Sequence, residues 1–462
     1  MAEPAAERIF SPVAVIAIVL FALIPLGSAT FFATSVVQFT LALLFLATVG
    51  RYAIRNDPAQ AAQALLKGVP PGALLALPAL AIIQTSAQFA IGFSTGPTLA
   101  MTQATMTTIV LVAFYLLCRG AAISRRDIQI LLLGLVAIGT AEALYGLLNL
   151  LSGNEYLLIY KRKIFPHSAT GTLTGRSHFA YLMEMTAPIA LALLATQARR
   201  TRIYGATDST GRTIAAATAA VTILLALIFS RSRMGIMAIS GAAGIVMLLS
   251  RKLAPATLED TRSEKRSRNF VVGIALIAVL GFGVLIGLEA VIDRFGNLEH
   301  DFQASRRHAW LATFRMFLDA PVVGHGWGTF RELVVGYQPR PTGNFFPHAH
   351  NEYLQVMAEG GLVGLGIVGY LLVLYVRRLV STLSRQLDYQ QRAITVALAV
   401  STTSVLFHSV ADFGLRIPGI ALTFMVALAL FVRVTESPQL IAETVDSNLK
   451  RRRRRSKRRR AE

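Results

Sequence analysis

The sequence predicts an all-α, polytopic membrane protein with about twelve transmembrane helices and a large, partly helical loop on one side of the membrane. Of its 462 residues, 54% are hydrophobic and 15% are charged, whereas a soluble domain is nearer to 25% charged. Many apolar runs reach the roughly 20 residues that a helix needs to cross a bilayer. These observations exclude a disordered chain and disfavour a cytosolic globular protein. The single cysteine, Cys118, excludes an intramolecular disulfide.

The predicted spans divide the chain into a transmembrane domain, residues 1–434, and a tail, residues 435–462. The first span is not a cleavable signal peptide, because a second span follows at once and no small-residue cleavage site closes it. We expect a tight helical hairpin there. The twelve spans lie near residues 12–29, 30–50, 71–92, 98–118, 127–151, 178–197, 213–230, 234–250, 270–291, 357–376, 393–411 and 417–434.

Lysine and arginine residues predict the orientation, because short loops rich in them tend to lie in the cytoplasm. With both termini cytoplasmic, 32 of these residues fall on the cytoplasmic side and 13 on the outer side. The stretch from Lys450 to Arg460 holds ten of them, half of the net charge of +20. The basic composition therefore does not predict a nucleic-acid surface. We expect this tail to be cytoplasmic and to bind anionic lipid headgroups.

Two long loops on the predicted outer side, residues 152–177 and 293–358, carry polar groups suited to chemistry, and loops of this length are usually functional. In the second loop, aromatic and aliphatic residues at helical spacing predict an amphipathic helix, which glycines and a proline then end. The residues of that pattern are Trp310, Phe314, Phe317 and Leu318. All eight histidines also fall on the outer side, which predicts an outer working face: His167, His178, His300, His308, His325, His348, His350 and His408.

Three arginines, Arg176, Arg233 and Arg306, lie where outer loops meet predicted helices. A helix N terminus favours an anion, and a guanidinium matches phosphate oxygens with two parallel hydrogen bonds. We expect the three to converge on one diphosphate; the alternative is that they are solvated loop charges. Arg231 shares the short outer turn of Arg233, where it either joins the site or reaches lipid headgroups.

The segment from Phe346 to Leu354 places His348 and His350 just before a predicted span. A His-x-His pair alone is a weak metal signal, and the outer loops show no compact set of further ligands. A neutral imidazole at the membrane boundary suits removal of a proton from an attacking hydroxyl at neutral pH. We therefore predict that His350 is a general base and that the site uses no metal and no cofactor.

Four segments make the chain resemble the O-antigen ligase and polymerase family of bacterial integral-membrane glycosyltransferases, over roughly residues 165–420. The most specific is His350-Asn351 followed after nine residues by Gly361-x-x-Gly364. The others are Gly171 to Ala180, Ser232-Arg233-x-Gly235, and the stretch from Arg306 through Trp310 and Pro321 to the glycines Gly324, Gly326 and Gly328. The first five spans match the family only in hydropathy.

The resemblance implies a fold similar to that of other multispan glycosyltransferases that use lipid-linked sugars, in the bacterial inner membrane, with the long loops in the periplasm. It implies an undecaprenyl-diphosphate-linked glycan as donor and lipid A-core or a growing glycan as acceptor. His350 would activate the acceptor hydroxyl, with inversion at the anomeric carbon. The implied diphosphate and glycan contacts are Arg176, Arg233, Arg306, Arg231, His178, Asn351, His348 and Trp310.

Other functions stay open. A transporter or flippase of polysaccharides or lipid-linked glycans also suits twelve spans; transporters place ionisable residues deep in them, where Glu142, Glu184 and Glu289 are candidates. A scaffold whose tail binds a partner is a third class. Within the transferase interpretation, the acceptor would distinguish a ligase, a polymerase and a protein glycosyltransferase. For Asp412 we expect a structural role, as a partner of Arg416 or a cap of the last span.

Overall fold

The computed structural model describes residues 10–23, 31–55, 71–122, 124–154, 156–158, 160–161, 165, 167–204, 207–253, 307–338 and 346–442. These residues are almost entirely helical, with one two-residue antiparallel strand pair, β1 (Tyr156–Leu157) and β2 (Tyr160–Lys161). The helices are α1 (Pro12–Leu23), α2 (Phe31–Arg55), α3 (Pro71–Ile91), α4 (Thr98–Ala121), α5 (Arg125–Leu151), α6 (Arg176–Tyr204), α7 (Thr207–Phe229), α8 (Arg233–Lys252), α9 (Arg307–Asp319), α10 (Phe330–Tyr337), α11 (Glu352–Leu383), α12 (Tyr389–His408) and α13 (Pro418–Glu436), with 3-10 helices at Gly414–Arg416 and Pro438–Ile441.

Eight of the described helices are long and apolar enough to cross a membrane: α3 to α8, α11 and α13. The prediction of an all-α polytopic membrane protein is confirmed. The predicted span at 393–411 corresponds to α12, which is less apolar because it contains the run Ser401–Ser404, yet it is packed among α6, α8 and α13. The predicted span at 270–291, the connection at 24–30 and the tail beyond 442 lie outside the described residues.

Helix α6 lies at the centre of the bundle. In the apolar 18-residue window of its span, 83% of the residues are buried, the highest share among the eight. It packs against α7 and α12. Helices in lipid associate by close packing rather than by the hydrophobic effect, so small residues let them approach. Gly139 of α5 is such a residue, because a Cβ atom there would overlap the side chain of Thr186. Close approaches of this kind fix the position of α6 against its neighbours.

The two ends of the bundle differ in their chemistry. The end that we call the loop end holds the starts of α6, α8, α11 and α13. At the opposite end, Arg119 and Arg378 contact the carboxylate of Glu436 at 3.0 and 3.1 Å, and Arg433 lies 3.9 Å from it. The positive-inside pattern predicts that these three arginines lie on the same side of the membrane. In the structure they lie at the same end of the bundle, around one carboxylate.

Helix α11 is broken at Gly361, where φ is 61° and ψ is −157°. The break releases backbone donors, and the N–H of Leu362 donates to the carbonyl of Pro321 at 2.8 Å. On the other side of the break, the N–H of Gly326 donates to the carbonyl of Glu359 at 2.9 Å. The glycine-rich turn after α9 is therefore joined to α11 by backbone hydrogen bonds.

Replacing Gly361 by alanine should destabilise the protein. A residue with a side chain at this φ and ψ costs about 1–3 kcal/mol, and a Cβ atom at Gly361 would overlap the carbonyl of Val322. We expect Gly361→Ala to lower the midpoint of thermal unfolding in detergent by several degrees. Gly366→Ala on the same helix is the control, because among the described residues no atom beyond the local helix backbone lies within 4 Å of its added Cβ and alanine favours a helix. Equal midpoints for the two variants would contradict this role of Gly361.

The second outer loop contains the predicted helix, α9, but the aromatic and aliphatic pattern did not identify its packing face. The buried positions are the small or flexible Ala309, Ala312, Thr313 and Met316. Phe314 and Leu318 are instead 46% and 59% exposed. The loop also ends earlier than predicted, since α11 begins at Glu352 rather than near residue 357.

Candidate active site

Three histidines surround Phe413 at the loop end. The centroid of the Phe413 ring lies 4.3 Å from that of His348, in a stacked arrangement, and 4.8 and 5.1 Å from those of His350 and His178, edge to face. Phe413 comes from the turn between α12 and α13, His178 from the first turn of α6, and the other two histidines from the segment before α11. The structure thus brings together predicted residues from separate loops, around a phenylalanine that the sequence analysis did not single out.

The backbone around His350 is tightly held. Its φ is 50°, a value that non-glycine residues rarely adopt. On one side, Ala349 is fully buried and its N–H donates to the side-chain oxygen of Gln355 at 3.1 Å. On the other side, Asn351 caps α11, because its side-chain oxygen accepts from the N–H of Leu354 at 3.0 Å. Strained backbone persists where neighbours enforce it, often at functional sites, so this placement of His350 points to function.

Both structural roles expected for Asp412 are wrong: it is not the partner of Arg416, and α13 begins after Ile417 without a side-chain cap. Arg416 is engaged by two carboxylates of α11: its Nε atom donates to Glu352 at 3.1 Å, and its Nη1 atom donates to Glu359 at 3.1 Å. Both carboxylates are largely buried. Because these groups already neutralise Arg416, Asp412 is left for another partner.

That partner is His350. The Oδ1 atom of Asp412 lies 3.4 Å from the Nδ1 atom of His350, a close contact that is long for a hydrogen bond. The same oxygen accepts from the N–H of Phe413 at 2.9 Å, and Asp412 is only 3% exposed. A carboxylate beside Nδ1 orients the imidazole and leaves Nε2 to face another group. The sequence offered no signal for this pair, because 62 positions separate its members.

The protonation states fit a base supported by a carboxylate. Burial raises the pKa of Asp412, but His350 and the other neighbouring histidines lower it by more than burial raises it. The pKa of Asp412 therefore lies below the usual range. Burial and then the charge of Arg416 lower the pKa of His348 to about 3. At neutral pH Asp412 is therefore ionised and His348 is neutral, so His348 offers an uncharged ring beside Phe413.

Two of the predicted arginines begin adjoining helices. Arg176 is the first residue of α6 and Arg233 the first of α8. The side chain of Ser232 caps α8 by accepting from the N–H of Gly235 at 3.3 Å. A Cβ atom at Gly235 would lie 2.6 Å from the Cβ of Ala180, so the first turns of α6 and α8 are in close contact. Two neighbouring helix N termini, each of which begins at an arginine, favour an anion.

Arg231 and Arg176 are held differently. Arg231 has a φ of 53°, and its Nε atom is buried without a hydrogen-bond partner among the described residues. An unsatisfied buried donor calls for an explanation, and an anionic ligand would satisfy it. The guanidinium carbon of Arg176 lies 4.6 Å from the centroid of the Phe165 ring, a cation–π contact that orients it.

The remaining predicted residues are less informative. Arg306 lies outside the described residues. Trp310 is half-buried on α9, which packs against α11. His325 contacts the carbonyl of Met316 at 2.9 Å and so ties the glycine-rich turn to α9. Within the described ranges, no group of three or more His, Cys, Asp or Glu could hold a metal ion, and metal independence stays a prediction.

Two of the three glutamates that were candidates for deep ionisable residues of a transporter have partners at the loop end. Glu142 of α5 accepts from the N–H and the hydroxyl of Thr172, both at 2.8 Å, and so anchors the loop before α6. Glu184 of α6 lies 3.2 Å from His408. Glu289 lies outside the described residues. Both described carboxylates therefore connect elements of the bundle.

The fold and the polar loop end define a polytopic membrane protein with a candidate active site at one end of a helical bundle. Residues 218–369, about a third of the chain, match the family model described as O-antigen ligase. The match supports an O-antigen ligase-like family, as the resemblance predicts, and a membrane function in ligating or polymerising glycans. No curated protein matches the chain. The matched range contains Arg231, Arg233 and His350, whereas Arg176 and Asp412 are joined to them by the structure.

Proposed function

We propose that this protein is a glycosyltransferase that moves a glycan from undecaprenyl diphosphate to an acceptor hydroxyl at the outer face of the bacterial inner membrane. It acts as an O-antigen ligase or as a polymerase of a surface polysaccharide. The observation that carries the proposal is the pair of His350 and Asp412 at the same end of the bundle as Arg176 and Arg233. A donor with its lipid tail in the bilayer presents its diphosphate at such a boundary.

His350 is the base in this mechanism. With Nδ1 facing Asp412, its Nε2 atom takes the proton of the acceptor hydroxyl while the hydroxyl oxygen attacks the anomeric carbon. The bond from that carbon to the diphosphate breaks, and the lipid diphosphate leaves with the electron pair. Attack from the face opposite the leaving group inverts the anomeric configuration. Asp412 stabilises the imidazolium that forms, as a buried carboxylate does in other catalytic sites.

The arginines stabilise the departing diphosphate. Fixed positive groups aimed at developing charge commonly supply the largest catalytic term, and they replace the electrostatic role of a metal ion. Arg176, Arg233 and Arg306 carry this role, and the buried Nε of Arg231 supplies a further donor. The glycan contacts are His178, His348, Asn351 and Trp310, with α9 closing over the sugar.

Removing one arginine should show this role. We expect Arg233→Ala to lower kcat/KM for the lipid-linked donor by about 100-fold or more, because one fixed donor to a developing anion is lost. Arg315→Ala is the matched control, since Arg315 is an exposed arginine of α9 and we expect it to change kcat/KM by less than about twofold. Initial transfer rates over a range of donor concentrations measure the effect. Equal kcat/KM values for the two variants would exclude Arg233 from the stabilisation of the diphosphate.

A transfer assay with purified protein separates the possible reactions. The protein is mixed in EDTA with an undecaprenyl-diphosphate-linked glycan, with and without lipid A-core. Transfer that requires lipid A-core identifies a ligase, and lengthening of the glycan without it identifies a polymerase. Activity that EDTA abolishes and a divalent cation restores would contradict the metal-independent mechanism. No transfer by folded protein with several glycans would reject the proposal in favour of transport.

The orientation follows from the same proposal. The loop end faces the periplasm, and the arginines around Glu436 face the cytoplasm with both termini. This arrangement places Arg119 and Arg378 where the positive-inside tendency expects them. The polybasic tail then meets the anionic lipids of the inner leaflet.

A further inference from the structure

The turn between α12 and α13, which carries Asp412, is attached at both of its ends to the first two turns of α11. At one end, the carbonyl of Ser409 accepts from the N–H of Glu352 at 2.9 Å. At the other end, the Nε atom of Arg416 donates to the carboxylate of Glu352, and its Nη1 atom donates to that of Glu359, both at 3.1 Å. Asp412 lies between these two points of attachment.

The same two turns of α11 also hold the segment that carries His350. Gln355 lies three residues after Glu352 and four before Glu359, so the three side chains share one face of the helix. The side-chain nitrogen of Gln355 donates to Glu359 at 3.1 Å. Its side-chain oxygen accepts from the N–H of Ala349, the residue before His350, also at 3.1 Å. One face of α11 thus connects the backbone at His350 to the turn between α12 and α13.

The carboxylates that hold Arg416 are buried. Glu359 is 0% and Glu352 is 8% exposed, and Glu359 also accepts from the N–H of Phe330 at 3.3 Å. A buried ionic cluster is weak evidence for stability, because apolar side chains of similar size often stabilise a fold as well. A guanidinium, however, stays charged and holds its donors in a fixed plane. The cluster therefore suits a role in which the position of the turn matters.

We propose that Arg416 is a positioning residue, which holds the turn that carries Asp412 so that the carboxylate stays in contact with His350. This inference rests on the proposed function. The N–H of Arg416 donates to the carbonyl of Phe413 at 3.0 Å, so Arg416 is tied to the residue that follows Asp412. The contact between Asp412 and His350 is 3.4 Å long, and a shift of the turn away from α11 would break it.

Replacing Arg416 by lysine tests this role. Lysine keeps the positive charge, so the two buried carboxylates are not left without a cation. Its single nitrogen atom does not reproduce the two separate donors of the guanidinium. We expect Arg416→Lys to lower kcat by about 10- to 100-fold, because a displacement of roughly 1 Å near the reacting groups has an effect of that size. KM for the undecaprenyl-diphosphate-linked glycan should change little. Initial transfer rates in lipid nanodiscs measure both quantities.

The same substitution at the opposite end of the bundle is the matched control. Arg378 contacts the carboxylate of Glu436 at 3.1 Å, the distance at which Arg416 contacts its own partners. Arg378→Lys should change kcat by less than about twofold, since the ion pair that it alters lies far from the loop end. An Arg416→Lys protein that is folded and has the kcat of the Arg378→Lys protein would overturn the inference.

A second measurement separates positioning from a general loss of folded protein. If Arg416 acts through Asp412, Arg416→Lys should cost little further kcat when residue 412 is already asparagine, because residues that act as a unit are non-additive. A smaller folded fraction would instead lower the rate by the same factor in both backgrounds. Equal factors in the two backgrounds would therefore contradict the positioning role.

Glu359→Gln alters the same attachment from the side of α11. Glutamine has nearly the same shape as glutamate, and its oxygen can still accept from the N–H of Phe330. It lacks the negative charge that holds Arg416. We expect a lower kcat with little change in KM, and again little further loss when Asp412 is replaced by asparagine. This variant provides the measurement if Arg416→Lys does not fold, and a wild-type kcat in Glu359→Gln would then overturn the inference.

Failure of the inference is distinguishable from failure of the proposed function. Folded wild-type protein that transfers no glycan rejects the proposed function and the positioning role with it. Wild-type transfer that is lost in Asp412→Asn, but is unchanged in Arg416→Lys and Glu359→Gln, rejects only the positioning role.

Discussion

Replacing His350 by asparagine should reduce kcat of glycan transfer by about 10²–10⁴-fold, the range associated with loss of a general base. Asparagine tolerates the left-handed backbone that His350 adopts, so the segment can keep its conformation. Its amide cannot accept the proton of the acceptor hydroxyl. Binding of the lipid-linked donor should change little, because the proposed diphosphate contacts are made by Arg176 and Arg233.

Initial rates and donor affinity in lipid nanodiscs, together with thermal unfolding, measure this prediction. His167→Asn is the control, since His167 is an exposed histidine of the loop before α6 and should retain full activity. A folded His350→Asn protein with the wild-type kcat would contradict the assignment of His350 as the general base. A variant that loses donor binding and turnover together would instead place His350 among the binding residues.

Replacing Asp412 by asparagine should lower kcat by about 10²–10⁴-fold, with little change in KM for the donor. Asparagine has nearly the same shape, and its oxygen can still accept from the N–H of Phe413. It lacks the negative charge that stabilises the imidazolium of His350. It can also turn its amide N–H₂ toward Nδ1, which favours the tautomer with the proton on Nε2 and blocks the base, as loss of the carboxylate does in other triads.

A comparison of single and double variants measures whether the two residues act together. Asp412→Asn should cost little further activity in a His350→Asn background, because residues that act as one unit are strongly non-additive. Asp319→Asn, at a 64% exposed carboxylate of α9, is the control and should leave kcat unchanged. Independent, multiplicative losses at positions 350 and 412 would contradict the pair.

Local properties of the sequence predicted the architecture and several site residues. A membrane helix needs a continuous apolar run, and such runs predicted the helices from α3 to α8, α11 and α13. Helix starts are also local, and the structure places Arg176 and Arg233 at the first residues of two helices. The motif from His350 to Gly364 was visible because its residues lie close together in the sequence. None of these features requires knowledge of which helices are neighbours.

Only the tertiary structure decided which groups meet. Asp412 lies beside His350, and Glu184 lies beside His408, because α6, α12 and the segment before α11 pack side by side. That arrangement depends on close approaches such as Gly235 against Ala180, which relate positions far apart in the chain. Packing between helices in lipid is set by such shape complementarity rather than by hydropathy. Hydropathy and spacing therefore determined the helices and their polar ends, and shape determined the candidate active site.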